Sequence, residues 1–98
     1  MTKVVQLHPD AIAEAKAARE WYMERSPSAA DAFTKELDNA ILQVSNFPQQ
    51  GLSFIRETRR FLLRRFPFSV VYRESEEHIE VIAVAHARRK PGYWKKRS

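Results

Sequence analysis

The periodicity of this chain changes at Gly51, and that change confines what it can fold into. Before it, apolar residues recur at three- and four-residue steps; after it, they come in short runs of strand type. From Ala11 to Glu24, Ala11, Ala15, Ala18 and Tyr22 share one helical face, with Ile12 and Trp21 flanking it. Asp10 stands where a helix cap belongs, and the alanines permit close approach by another helix or a sheet. Ser26-Pro27-Ser28 breaks this helix. A second helix starts there, capped either by Ser26 ahead of Pro27 or by Ser28 with Asp31. It runs to about Ser45 with Ala30, Phe33, Leu37, Ala40, Ile41 and Val44 in one stripe, and Pro48 and Gly51 end it. So short a break between two amphipathic helices predicts an antiparallel helical hairpin.

The remaining segments read as strands. Val4-Val5-Gln6-Leu7 is a short edge or first strand, stopped by His8-Pro9. Three further runs lie at about 58–66, 68–74 and 78–86, joined by connections short enough to make antiparallel neighbours. The run from Ile79 to Ala85 is the most apolar and belongs at the centre of the sheet. The expected architecture is α+β in the order β-α-α-β-β-β. A helical hairpin covers one face of a mainly antiparallel sheet, and a basic C-terminal tail follows. At 98 residues the chain has room for one core, so residues 1–98 form a single domain. Alternation near residue 60 assigns Phe61 and Leu63 to the covered face and Arg60 and Arg64 to the open one.

Charge is as unevenly distributed as periodicity. Residues 55–98 hold 12 Lys and Arg against 5 acids, net +7, whereas residues 1–54 are net −2. The cations interleave with rings in Arg59-Arg60-Phe61, in Arg64-Arg65-Phe66 and from His86 to Arg97. A one-signed field with stacking groups suits a polyanion or an acidic partner; a solvated basic surface is the plainer reading. The absence of cysteine removes disulfides, cysteine–zinc sites and thiol nucleophiles. Two glycines are too few for a glycine-rich phosphate loop. His8, His78 and His86 are too scattered for a metal site, so neither metal nor cofactor is expected. No apolar run approaches the roughly 20 residues of a membrane span. The first residues lack a signal peptide's apolar stretch, and a cytoplasmic location is expected.

The open face would gather guanidinium groups, an imidazole and a phenol. That inventory suits cleavage of RNA by its own 2′-hydroxyl, with His86 or Tyr93 as acid or base and Arg60, Arg64 and Arg89 holding the phosphate. Structural roles compete with this. His86 can be a hydrogen-bonded strand end, and Tyr93-Trp94 can pin the tail to the fold. Arg64 and Arg65 can pair with Glu74, Glu76 or Glu80 across the sheet. Trp21 reads as core or as an interface anchor.

The chain resembles the RelE/ParE superfamily, the toxins of type II toxin–antitoxin systems, in its ParE-like, plasmid-stabilisation branch. The likeness rests on the element order, on the stretch from Arg59 to Arg73 (RRFLLRRFPFSVVYR) and on the stretch from Ile82 to Trp94 (IAVAHARRKPGYW). It implies a toxin that inhibits DNA gyrase or, alternatively, a RelE-like endoribonuclease that cuts mRNA on the ribosome. A non-toxic nucleic-acid or protein binding module is the third reading. Carried over residue by residue, Arg64 and Arg89 match arginines of the nucleases, Tyr93 matches a proposed base, and Arg60 falls where they have a lysine. His86 lies near a histidine of related ribosomal nucleases. Leu62 replaces a second lysine, a departure that favours the gyrase reading. The resemblance implies target contacts through Arg59, Arg64, Arg65, Arg88, Arg89, Lys90, Tyr93 and Trp94. It also implies a cognate acidic, partly disordered antitoxin encoded nearby, meeting Trp21, Tyr22, Arg60, Phe66 and Arg73. Glu57 and Glu80 would be poor members of that contact. No direct contact with operator DNA and no membrane partner are expected.

Overall fold

The computed structural model describes residues 3–97. Its elements are β1 (Val4–Leu7), α1 (Pro9–Arg25), α2 (Pro27–Asn46), β2 (Leu52–Phe54), a 3-10 turn (Ile55–Glu57), β3 (Thr58–Leu62), β4 (Phe68–Glu74) and β5 (His78–His86). The sheet order is β1-β5-β4-β3-β2. β1 runs parallel to β5, and the other pairs are antiparallel. This is the α+β architecture expected, with β5 internal.

The caps settle where the helices start. α1 begins at Pro9, not after Asp10. Pro9 lacks the N–H that a first turn leaves unpaired, and His8 Nδ1 accepts the Asp10 amide at 3.0 Å. Ser26 closes α1 and opens α2: its amide donates to Tyr22 O at 2.7 Å, and its Oγ accepts from Ala29 N at 3.3 Å. Two other details differ from the expectation. β3 ends at Leu62, because the amides of Arg64 and Arg65 turn to the Glu36 carboxylate on α2 instead of to a strand. The short β2 folds back on β3 through Arg56 and Glu57, both at φ near +60°. A left-handed pair of non-glycine residues is rare, and here Thr58 Oγ1 to Ile55 O (2.6 Å) and Arg73 to Arg56 O (3.2 Å) hold it.

The main core lies between the hairpin and the sheet. Ala11, Ala18, Phe33, Leu37, Ala40 and Val44 meet Leu63, Val70, Tyr72, Ile79, Val81 and Val84, with Phe61 at the edge. Alanines on α1 let the helix lie close to β5. A bulge in β5 pairs Val71 with Ala83 and Tyr72 with Val81, leaving Ile82 as the extra residue. Val81 and Val84 therefore both reach the helix side, while Ile82 and Ala83 serve the other face. There a second cluster forms with Val71 and Trp94, so the face expected to be open is partly covered by the C-terminal segment.

Gly51 is buried where the loop after α2 passes Tyr72. Its amide donates to Tyr72 Oη at 3.0 Å, and Tyr72 Oη donates to Pro48 O at 2.7 Å. A methyl group at Gly51 would collide with the tyrosine ring and hydroxyl. Gly51→Ala is expected to lose about 2–4 kcal/mol of stability through overpacking and the broken bond. An unchanged urea midpoint would contradict it.

Candidate functional site

The segment after β5 acts as a strap, and one acid holds it. β1 pairs with β5 only from His78 to Val81, which leaves the second half of β5 without a strand on that side. Glu14 of α1 fills the gap. Its Oε1 accepts the Val84 amide at 3.0 Å, and its Oε2 accepts the Tyr93 hydroxyl at 2.5 Å. Arg97 grips the same carboxylate with two nitrogens, at 2.8 and 3.0 Å, and also reaches Ile82 O at 3.3 Å. The two side chains thus satisfy an amide and a carbonyl that a further strand would have taken. Arg97 Nε lies 3.5 Å from Asp10 as well. Burial by itself would raise the Glu14 carboxyl, but the bonds from Arg97, Tyr93 and Val84 outweigh it and hold the pKa below normal. Burial, then the bond to Glu14, push the Tyr93 phenol far above its usual range.

Under the strap, Trp94 is 2% exposed and packs on Val71, Ile82 and Ala83, with Phe54 at 6.0 Å. Gly92, at φ 82°, lets the strap pass close to Ile55. Between strap and sheet lies a cleft of about 70 Å³ whose lining includes Arg60, Ser69, His86, Arg89, Lys90 and Tyr93. The Arg60 guanidinium lies over Phe54 (4.5 Å) and that of Arg89 over Tyr93 (3.8 Å). His86 Nδ1 accepts the Arg88 amide at 3.0 Å, which places the proton of the neutral ring on Nε2. His86 also stands edge-on to Phe68.

The convergence expected of Arg60, Arg64 and Arg89 is therefore divided. Arg60 and Arg89 share the cleft with Tyr93 and His86. Arg64 lies beyond β3 and lines a separate depression against α2, with Arg65 and Glu36. Arg65 pairs with Glu36 at 3.1 Å, not with the sheet glutamates. Arg59 is tied to the loop before β2, reaching Gly51 O at 2.8 Å and Gln49 Oε1 at 2.6 Å. Arg88, Arg89 and Lys90 are exposed in the turn after β5.

On the hairpin side a larger groove, about 440 Å³, runs between α1 and the end of β5. Ala17, Ala18, Trp21, Tyr22, Phe68 and Val84 give it an apolar floor, with His86, Arg89 and Tyr93 as the wall shared with the cleft. Trp21 is 51% exposed and carries Arg25 at 3.7 Å over its ring. Trp21, Tyr22 and Phe66 thus belong to the hairpin side, Tyr22 and Phe66 touching at 5.1 Å, while Arg60 and Arg73 sit on the strap side. Glu14 and Arg97 were missed in the sequence. The signal for Glu14 was its place between Ala11 and Ala18, an acid inside the apolar stripe. Arg97 gave none beyond its charge. Among the described residues no group of three His, Asp or Glu side chains gathers as a metal-ligand set. No helix among them is long and apolar enough to cross a membrane.

A two-helix hairpin on a five-stranded mixed sheet, with Arg60, Arg89 and Lys90 lining a cleft under a C-terminal strap, defines a small α+β protein. The family model described as the ParE toxin of the type II toxin–antitoxin system parDE matches residues 5–91, and this chain belongs to that family. Among solved structures it is similar to a chain of the chromosomal ParDE toxin–antitoxin system from P. aeruginosa, at a TM-score of 0.77 and 18% identity. That match covers 89% of this chain and 98% of the other, and at such identity it is a likeness of fold. No curated protein matches the chain.

Proposed function

We propose that this toxin acts in the cytoplasm as an inhibitor of DNA gyrase, binding through its basic face, and that a cognate acidic antitoxin silences it. The observation that carries the inhibitor reading is the state of Tyr93. Its hydroxyl donates to Glu14 at 2.5 Å, and its pKa is driven upward. A phenol so held is a poor acceptor for a 2′-proton, because a general base works best with a pKa near the operating pH. His86 offers no better base while its Nδ1 is engaged by the Arg88 amide. Leu62, half exposed on the strap side, supplies no charge where phosphorane stabilisation would need one. Inhibition by binding needs none of these groups, only a surface complementary to its target.

The nuclease reading draws support from one fact: Arg60, Arg89 and Tyr93 line the same cleft. Brief expression followed by parallel assays separates the two. Gyrase-trapped DNA breaks, without A-site mRNA cuts, are the expected result. Tyr93→Phe should retain those breaks at reduced temperature while losing about 1–2 kcal/mol of stability, since Glu14 keeps its other donors. Cuts in mRNA that vanish in Tyr93→Phe would reverse the assignment.

A further inference from the structure

The groove on the hairpin side is made by residue spacing on α1. Glu14, Ala17, Ala18, Trp21 and Tyr22 fall on successive turns of one face. The two alanines add only methyl groups, so a trough sinks between the turn carrying Trp21 and Tyr22 and the turn carrying Glu14. Phe68 and Val84 face it from the sheet, and Tyr93 stands at the Glu14 end, bonded to that acid at 2.5 Å. At about 440 Å³ the space lies in the range of small-molecule sites, whose walls are mainly apolar with a few polar groups that set orientation.

Two donors stand at the Tyr93 end without acceptors. The Arg89 guanidinium lies on the Tyr93 ring at 3.8 Å and forms no hydrogen bond or ion pair among the described residues. His86 uses Nδ1 for the Arg88 amide, which leaves its Nε2–H without an acceptor there. Both are within reach of solvent. Arg89 is an exposed residue, and among the described residues that are not exposed, Arg60 Nε alone is a buried side-chain nitrogen lacking a partner. Glu14, the one acid lining the groove, is already matched by two Arg97 nitrogens at 2.8 and 3.0 Å. The unbalanced charge of the groove is therefore positive and sits at one end, beside an apolar remainder.

We infer that this groove is a binding site for a small aromatic carboxylate. The carboxylate meets Arg89 and the His86 Nε2–H, and the ring system lies over Ala17 and Ala18, walled by Trp21 and Phe68. Rings suit the site better than an alkyl chain because its boundary is itself aromatic, and ring pairs add to the gain from burial alone. Length favours a free ligand over a partner helix. From Glu14 to Tyr22 is about 12 Å along α1, the span of a two-ring acid and short of the track a stable protein interface needs. The net charge of +5 on the chain favours an anion over a neutral compound. Neither gyrase nor an antitoxin enters the argument, so the inference stands apart from the function proposed above.

The two tryptophans supply the test. Trp21 lines the groove, whereas Trp94 is 2% exposed beneath the strap. The full-length, nitrogen-15-labelled chain thus carries one reporting indole N–H and one control, which Trp21→Phe assigns. The probes, at constant ionic strength and near-neutral pH, are naphthaleneacetate, its neutral counterpart naphthaleneacetamide, octanoate and N-acetyl-Leu-Glu-amide. Naphthaleneacetate should shift Trp21 saturably with a Kd on the order of 1 mM or below, while Trp94 stays in place. The amide should bind about tenfold more weakly, and Arg89→Gln, at an exposed site, should erase that difference. No saturable shift at Trp21, both indole signals moving together, or equal binding of acid and amide overturns the inference. So does octanoate binding as tightly as the aromatic acid, or an acid–amide difference that survives in folded Arg89→Gln. Tighter binding of the peptide overturns it in favour of a protein partner, and a Trp21 signal that moves on dilution of the free chain overturns it in favour of a second copy. The wild-type comparison of acid with amide decides even if a variant fails to fold.

Discussion

Glu14→Ala is expected to remove about 3–5 kcal/mol of stability, the range for breaking a largely buried, hydrogen-bonded ion pair. The substitution strips the acceptor from the Val84 amide, the Tyr93 hydroxyl and two Arg97 nitrogens together. Both members of the pair are shielded, with side-chain exposures of 17% and 16%. For a domain of this size the thermal midpoint should fall by roughly 12 °C or more. The strap should come loose first, because Trp94 then retains only its packing on the sheet. Trypsin should cut after Arg88 or Arg89 faster than in the wild type; the Lys90–Pro91 bond is not a trypsin site. A midpoint within about 2 °C of wild type would show that the strap is held elsewhere. Acidity should mimic the mutation. The folded Glu14 carboxyl titrates below the usual glutamate value of about 4.3, so its contribution is complete at neutral pH. That contribution fades as pH drops below about 5 and is gone once pH passes the lowered folded value. Glu14→Gln should flatten this part of the stability–pH curve; an unaltered acid limb would refute the assignment.

Phe33→Ala should cost about 3–5 kcal/mol for a different reason, the cavity left in an aromatic nest. Phe33 is 1% exposed, and its ring lies 5.5 Å from Tyr22, 5.4 Å from Phe66 and 5.3 Å from Phe68. Those three rings come from α1, from the loop after β3 and from β4, so one side chain joins the hairpin to the sheet. Small domains carry about 5–15 kcal/mol in total, and the loss takes a large part of it. The measurement is the urea midpoint at constant slope. A shift equivalent to less than about 1 kcal/mol would mean that neighbouring rings collapse into the space. Losing Phe33 should also blunt the groove at Trp21 and Tyr22, since Tyr22 leans on it.

Much of this was legible in advance. Phe33, Leu37 and Ala40 were placed in a stripe by spacing, and they are core. Phe61 and Leu63 were assigned to the covered face by alternation, and they pack there. The errors have physical sources. The run at about 58–66 reads as one strand, but Glu36 on α2 captures the amides at its end. Leu52-Ser53-Phe54 is too short to show a period, and it becomes a strand only because the turn at Arg56 and Glu57 folds it onto β3. Asp10 looked like a cap, yet the imidazole of His8 reached its amide first.

What the amino acids determined unaided were the helical hairpin, the later strands and the concentration of positive charge beyond Gly51. Each is a property of near neighbours, since periodicity, caps and turns act over a few residues. Only the tertiary structure decided which cations share a cleft and which are spent elsewhere. The bonds from Glu14 to Tyr93 and Arg97 span 79 and 83 positions in the chain. No local pattern encodes such a contact: it exists because α1 lies along the part of β5 that β1 is too short to cover.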